Sequence, residues 1–224
     1  MNIEQARFNM IEQQIRPWDV LDTDILELLM VVKREAFVPA AYRSLAFIDT
    51  EIPLPGGENM LMPKFEARIL QELGVKKHEN VLEIGAGSGY MAALLGYKAR
   101  HVTSVEILPE LVGMAKDNLA AYGVDNVEVV EGDGARGWPA GAAAKAAEAT
   151  WDVIVLSGSV PVIPQAFMQQ LKIGGRMFVV SGEAPAMSAQ VVTRMSDIGF
   201  STVKVFETVI KRLRNAETPS HFSF

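Results

Sequence analysis

A glycine-rich segment near the middle of the chain carries the strongest chemical signal in the sequence. Residues 81–90 read VLEIGAGSGY, an apolar stretch of strand length that runs through three glycines into a helix-forming stretch. Glycine permits backbone conformations that other residues rarely adopt, and it lets a ligand approach the chain closely. The N-terminus of the following helix offers free N–H groups and a positive dipole end. Such a turn, after a parallel strand, predicts a site for a nucleotide-like cofactor.

The spacing of these glycines and a neighbouring acid argue against a dinucleotide. Gly85, Gly87 and Gly89 follow a G-x-G-x-G pattern, whereas dinucleotide sites have G-x-G-x-x-G. Glu83 stands two residues before the first glycine, where a carboxylate would repel a pyrophosphate but attract an ammonium group. The turn therefore predicts S-adenosyl-L-methionine as the cofactor. A tight turn without a ligand is the alternative.

Two further acids follow at the ends of the next two predicted strands. Glu106 lies about twenty residues after the glycine turn, where doubly wound folds place the acid that accepts the ribose hydroxyls. Asp133 and Gly134, within Gly132-Asp133-Gly134, follow the third strand, and this carboxylate could accept the exocyclic amine of adenine. The alternatives are a solvated strand-end acid and a plain turn, because Asp and Gly favour turns.

The secondary structure predicted around these residues changes near residue 80. Before it the sequence predicts helices over Asn2–Ile15, Asp24–Val32 and Pro63–Leu73, the last one ending at Gly74. After it, apolar strands alternate with helices. The predicted strands are Val81–Ile84, Val102–Glu106, Val127–Glu131, Val153–Leu156 and Met177–Ser181, and the predicted helices are Tyr90–Lys98, Pro109–Tyr122, Pro164–Leu171 and Ala184–Ile198. Thr202–Leu213 is expected to form one or two antiparallel strands at an edge, and the alanine-rich 140–150 a partly helical surface insertion.

This alternation predicts an α/β fold with a doubly wound, mostly parallel sheet and an N-terminal helical extension. Residues 1–79 are expected to form an acceptor-side lid and residues 80–224 the cofactor-binding domain. The fourth strand ends in small residues, Ser157 and Gly158, which leave room above a cofactor.

Composition narrows the possible functions further. With no cysteine, the chain has no disulfides, thiolate metal sites or cysteine nucleophiles, and its three histidines lack metal-ligand spacing, so no metal is expected. A net charge of −6 without a basic cluster disfavours nucleic acid as a partner. No apolar run is long enough to span a membrane, and no signal-peptide pattern begins the chain, so we expect a cytoplasmic protein. We also expect a monomer or weak dimer.

The order of these segments resembles that of class I S-adenosylmethionine-dependent methyltransferases. Other stretches resemble one family among them, the protein-L-isoaspartate O-methyltransferases, over roughly residues 7–206. These stretches are Arg34–Pro39, Ala46–Asp49, Ile52–Leu54, Gly137-Trp138 after the Gly132–Gly134 turn, and Val162–Gln165 leading into Leu171-Lys172. The resemblance implies methylation of the isoaspartyl carboxylate of a damaged protein or peptide, as the first step of repair through a succinimide.

One segment departs from the family pattern at the acceptor site. Members usually carry Ser-Ala-Pro-His before the helix that precedes the glycine turn, with the serine beside the methyl-transfer site. Here the stretch reads Leu61-Met62-Pro63-Lys64, so the proline is kept and the serine hydroxyl is lost. Leu61 and Met62 are interpreted as packing over the cofactor, and Lys64 as either a solvated lysine or an attraction for an anionic acceptor.

Three functions remain open from the sequence. They are isoaspartyl repair, methylation of a different acceptor, and cofactor binding without catalysis. A carboxylate acceptor is already an anion at neutral pH, so the reaction needs positioning and exclusion of water rather than a strong base. A nicotinamide-dependent dehydrogenase is disfavoured by the glycine spacing and by Glu83.

Overall fold

The computed structural model describes residues 2–139 and 151–218. The alanine-rich stretch 140–150 and His221 lie outside these residues. The described strands are β1 (Ile52–Pro53), β2 (Asn59–Met60), β3 (Asn80–Ile84), β4 (His101–Glu106), β5 (Val127–Glu131), β6 (Trp151–Val160), β7 (Leu171–Glu183), β8 (Ala186–Arg194) and β9 (Phe200–Thr208). The described α-helices are α1 (Ile3–Met10), α2 (Thr23–Val31), α3 (Pro63–Leu73), α4 (Tyr90–Lys98), α5 (Pro109–Tyr122) and α6 (Gln165–Gln170).

A seven-stranded sheet in the order β5-β4-β3-β6-β7-β8-β9 forms the centre of the molecule. Strands β3 to β7 are parallel, and β8 and β9 extend the sheet as antiparallel strands at one edge. The sheet order reverses between β3 and β6, so a crevice opens beyond their carboxyl ends. This arrangement confirms the predicted doubly wound, mostly parallel α/β fold.

Local signals set the ends of several helices where the sequence predicts them. Helix α3 begins with Pro63 and ends at Gly74, which takes a left-handed conformation with φ of 53°. Helix α5 likewise begins with Pro109 and ends before Gly123. Proline suits the first turn because its missing N–H would have no partner there, and glycine at the end accepts the left-handed backbone.

The N-terminal segments pack on one face of the sheet. Helix α1 continues into a π-helical turn, Ile11–Ile15, and apolar side chains of α1, α2 and α3 share a buried cluster with α4 and α5. A second buried cluster covers the other face, between the sheet and α6. The division of the chain at residue 80 remains a prediction.

The predicted helix Ala184–Ile198 is wrong. Residues 186–194 form β8, which pairs antiparallel with β7 on one side and with β9 on the other. Ala, Met and Gln in this stretch favour a helix locally. Met187 and Ala189 nevertheless alternate with more exposed neighbours, as a strand requires, and pairing on both sides outweighs the helical propensity.

The last predicted strand is confirmed only in its first part. Strand β9 is antiparallel and lies at the sheet edge, but it ends at Thr208. Residues 209–214 leave the edge and cross to the carboxyl end of β6, where Arg212 pairs with Ser159 as an isolated parallel bridge. Residues 211–214 therefore lie over the crevice.

None of the described helices is long and apolar enough to cross a membrane. Within residues 2–139 and 151–218, no three His, Asp or Glu side chains come together in a way that could hold a metal ion.

Candidate cofactor and acceptor site

A cavity of about 670 Å³, including its open mouth, lies at the carboxyl ends of β3, β4 and β6. The structure brings together most of the site residues that the sequence singled out. Those that line the cavity are Leu61, Gly85, Gly87, Glu106, Asp133, Gly134 and Ser157.

The glycine turn shapes the floor of this cavity. Gly85, Gly87 and Gly89 all have positive φ, at 97°, 54° and 84°, which other residues rarely adopt. A Cβ on Gly85 would point toward Ser157 and Leu213 across the cavity. Gly89 has a different role, because its Cβ would lie 3.2 Å from the backbone of Ala115 on α5. Gly85 and Gly87 therefore line the cavity with bare backbone, whereas Gly89 lets α4 pack on α5.

Glu106 is buried and its carboxylate is held by the backbone. Its Oε2 accepts the N–H of Gly87 at 3.0 Å, and its Oε1 accepts the N–H of Leu108 at 3.0 Å. Each oxygen keeps a second lone-pair direction. The carboxylate is thus oriented at the cavity wall and can accept the two hydroxyls of a vicinal diol.

Glu83 lies one layer behind the cavity. It is fully buried, and its carboxyl group accepts hydrogen bonds from Ser104 Oγ at 2.5 Å and from Ser157 Oγ at 3.0 Å. Burial raises the pKa of Glu83 to about 8, and the nearby Glu106 adds to this, although the two serine hydroxyls oppose it. Glu83 therefore reaches a ligand through Ser157, and through its charge once it is ionised.

Asp133 is oriented by its own turn and by the end of the chain. Its Oδ1 accepts the N–H of Ala135 at 3.1 Å, and its Oδ2 accepts the side-chain amide of Asn215 at 2.9 Å. The flanking glycines are needed for packing. A Cβ on Gly132 would lie 2.4 Å from the ring of Trp138, and one on Gly134 would lie 2.7 Å from Ile84.

The C-terminal segment 211–214 is a part of the site that the sequence did not indicate. Backbone hydrogen bonds join Ser159 N–H to Lys211 O and Leu213 N–H to Ser159 O, both at 2.9 Å. Arg214 donates to Glu58 at 2.7 Å, which ties this segment to the loop before β2. A Cβ on Gly158 would lie 2.8 Å from Leu213. The glycine at position 158 therefore allows segment 211–214 to lie this close to β6.

Leu61, the first residue of the segment Leu61–Lys64, lines a second, smaller cavity of about 280 Å³ including its open mouth. Leu61 contributes to both cavities, whereas Met62 packs half-buried against the core and Pro63 starts α3. Lys64 faces elsewhere, because its Nζ lies 2.8 Å from Asp49 Oδ2 and 3.6 Å from the centre of the Trp18 ring. Lys64 is therefore paired with an acid of the chain itself.

A buried arginine holds this segment in place. Arg34 donates to the carbonyl of Leu61 at 2.9 Å and to that of Ala46 at 3.2 Å. Its Nε lies 3.7 Å from Oε2 of Glu66, an acid of α3 that lines the smaller cavity. Neither Arg34 nor Glu66 stood out as a site residue in the sequence, because their importance depends on burial.

The fold and the position of the cavity define the class of protein. A doubly wound sheet with a glycine turn after β3 and a buried acid at the end of β4 is the architecture of class I S-adenosylmethionine-dependent methyltransferases. The chain belongs to the protein-L-isoaspartate(D-aspartate) O-methyltransferase family, whose model matches residues 5–210. It is an S-adenosylmethionine-dependent methyltransferase, and the resemblance inferred from the sequence is confirmed.

Relatives agree with this membership, and a solved structure shares the fold. The chain is 39% identical over 192 residues to a protein-L-isoaspartate O-methyltransferase of Rhodopseudomonas palustris, covering 85% of each chain. It is 39% identical over 178 residues to that of Methanoculleus marisnigri, covering 80% of this chain and 78% of the relative. A Plasmodium falciparum structure assigned to the same enzyme, in complex with S-adenosyl-L-homocysteine, shares the fold with a TM-score of 0.78 and 17% identity, covering 93% of this chain and 98% of the other.

Proposed function

We propose that this protein methylates the isoaspartyl carboxylate of damaged proteins and peptides. The observation that carries the proposal is the family match over residues 5–210, which includes both the glycine turn and the acceptor-side segment Leu61–Lys64. The smaller cavity supports it, because it shares Leu61, Gly85 and Ser157 with the larger one and so adjoins the space assigned to the cofactor.

The residues of the larger cavity are assigned to parts of S-adenosylmethionine. Glu106 would accept the ribose hydroxyls and Asp133 the adenine amine, while Gly85 and Gly87 make room for the amino-acid portion. Ser157 would face the ammonium group, with Glu83 hydrogen-bonded to it from behind and acting through its charge when ionised. Gly89 contributes by packing alone, whereas Gly134 packs against Ile84 and also lines the cavity.

The work of the protein is positioning and exclusion of water. S-adenosylmethionine supplies an electrophilic methyl group when bound. The acceptor carboxylate is already a nucleophile at neutral pH, so the chain must hold it in line with that methyl group, which can lower the barrier by about 7–11 kcal/mol at best. Leu61 and Leu213 present apolar side chains at the cavity and so reduce its hydration.

The direct test is transfer of a radiolabelled methyl group to a pair of peptides that differ only in one residue. One peptide carries isoaspartate and the other carries ordinary aspartate at the same place. We expect base-labile label in the isoaspartyl peptide and background counts in its partner. If neither peptide is labelled although S-adenosylhomocysteine binds, the isoaspartyl proposal fails. The departure at Leu61 would then favour a different acceptor.

Replacing Leu61 by serine should strengthen acceptor binding. A hydroxyl at this position would add a hydrogen bond to an anionic acceptor, so we expect the KM for the isoaspartyl peptide to fall by about tenfold. Met62→Ser serves as the control, because Met62 packs against the core outside both cavities. An unchanged KM in Leu61→Ser would show that this side chain does not face the acceptor.

Cofactor-product binding should be linked to ionisation of Glu83. Below pH 8 the raised pKa keeps this group mostly protonated, and an ammonium group nearby favours the ionised form. S-adenosylhomocysteine should therefore release a proton on binding at pH 7, and its affinity should rise with pH up to about 8. Calorimetry in buffers of different ionisation enthalpy measures this release, and Glu83→Gln should abolish it. Equal heats in all buffers for the unmodified protein would contradict the assignment.

A further inference from the structure

Glu66 is a buried acid that the proposed reaction does not yet use. It lies on the first turns of α3 and is only 3% exposed. Among the described residues, its Oε2 makes no hydrogen bond and faces the Nε of Arg34 at 3.7 Å. This ion pair is too long for a hydrogen bond, so the carboxyl group, which also lines a cavity, keeps hydrogen-bonding capacity for a ligand.

The cavity that Glu66 lines is the one beside the acceptor segment. Its wall combines Leu61 and Met60 with the glycine turn and with Ser157, whose hydroxyl already donates to Glu83. The hydroxyl of Tyr90 is directed at the carbonyl of Val32, at 3.5 Å. Glu66 is therefore placed to supply polar contact on the side of the cavity where Leu61 offers none.

Burial and the surrounding charges together set the protonation state of Glu66. Burial is the largest influence and raises its pKa to about 8, against the attraction of Arg34. The carboxylates of Glu83 and Asp49 add to the rise. Tyr90, the other titratable group that faces it, has a pKa raised by burial and stays neutral. At neutral pH the Glu66 carboxyl group is thus mainly protonated and can donate through its O–H.

We propose that Glu66 binds the methyl acceptor: its carboxyl O–H donates a hydrogen bond to the acceptor carboxylate, the contact that Leu61 cannot make. This inference rests on the proposed isoaspartyl function. A hydrogen bond between a carboxylic acid and a carboxylate is short and strong. An ionised Glu66 would instead repel the acceptor, so binding should weaken as the pH rises through the pKa of this group.

Three variants test the proposal. Glu66→Leu removes the donor at similar size, and Glu66→Gln keeps an uncharged N–H donor that does not titrate. Glu72→Gln is the matched control on the same helix, since Glu72 pairs with Arg68 and lines neither cavity. The measurements are KM and kcat for the isoaspartyl peptide between pH 6.5 and pH 9.5 (an interval of about 1.5 units on either side of the raised pKa), and the Kd for S-adenosylhomocysteine.

We expect Glu66→Leu to raise the peptide KM by about tenfold or more while leaving the Kd for S-adenosylhomocysteine within about twofold, which also shows that the variant is folded. The unmodified protein and Glu72→Gln should show a KM that rises above pH 8. At pH 7 Glu66→Gln should bind the peptide nearly as well as the unmodified protein does, and its KM should not rise above pH 8. An unchanged KM in Glu66→Leu, or a pH profile of Glu66→Gln equal to that of the unmodified protein, overturns the proposal.

Three outcomes separate the possible failures. If Glu66→Leu and Glu66→Gln both weaken the binding of S-adenosylhomocysteine instead of the binding of the peptide, Glu66 belongs to the cofactor half of the site and the acceptor role is wrong. If the unmodified protein methylates no isoaspartyl peptide, the proposed function fails and this inference fails with it. If the unmodified protein is active and the Glu66 variants leave the peptide KM unchanged, only the role assigned to Glu66 is wrong.

Discussion

Replacing Glu106 by alanine is expected to weaken S-adenosylhomocysteine binding by about a hundredfold or more. Hydrogen bonds to a charged group contribute about 1.5–3 kcal/mol each, and the ribose would lose two of them. The substitution also removes the acceptor that holds the Gly87 N–H at 3.0 Å, so the glycine turn loses part of its support. Isothermal calorimetry with S-adenosylhomocysteine measures the change directly.

Two further variants serve as a partial substitution and as a control for this experiment. Glu106→Gln keeps one carbonyl oxygen and should lose only part of the affinity. Glu110→Ala removes an exposed acid in the first turn of α5 and should leave the affinity unchanged. A loss of less than about threefold in Glu106→Ala would show that the ribose lies elsewhere, since even one lost hydrogen bond of this kind exceeds it.

Replacing Arg34 by methionine is expected to lower the free energy of unfolding by about 3 kcal/mol. Arg34 is fully buried and donates to the carbonyls of Ala46 and Leu61, both in buried residues. Each carbonyl left without a donor costs about 1–3 kcal/mol, and methionine restores only the apolar packing of the arginine stem. Urea denaturation followed by circular dichroism gives the free energy.

The consequence should extend from stability to the acceptor site. Arg34 holds the carbonyl of Leu61 and also lowers the pKa of Glu66 against the effect of burial, so its removal should raise that pKa further. Arg100→Met is the matched control, because Arg100 is exposed and its side chain makes no ion pair among the described residues. Equal stabilities of Arg34→Met and Arg100→Met would refute the structural role assigned to Arg34.

Much of the fold was predictable because its signals are local. Helices α3, α4 and α5 have the predicted bounds, set by proline at the first turn or by glycine at the ends. The wrong prediction lies at β8, where alanine, methionine and glutamine suit a helix, but hydrogen bonding to β7 and β9 makes a strand. Pairing across the sheet depends on partners distant in the chain, and no window of sequence contains them.

The sequence by itself determined the class of cofactor, because the glycine turn, Glu83 and Glu106 are ordered by chain position alone. Only the tertiary structure decided that Glu83 stands behind Ser157, that Leu213 closes the cavity, and that Glu66 faces the space beside Leu61. The physical reason is that burial and contacts between residues distant in the chain, such as Glu83 and Ser157, govern these features. A carboxyl group has an ordinary pKa in the extended chain, and the folded surroundings alone turn it into a proton donor at neutral pH.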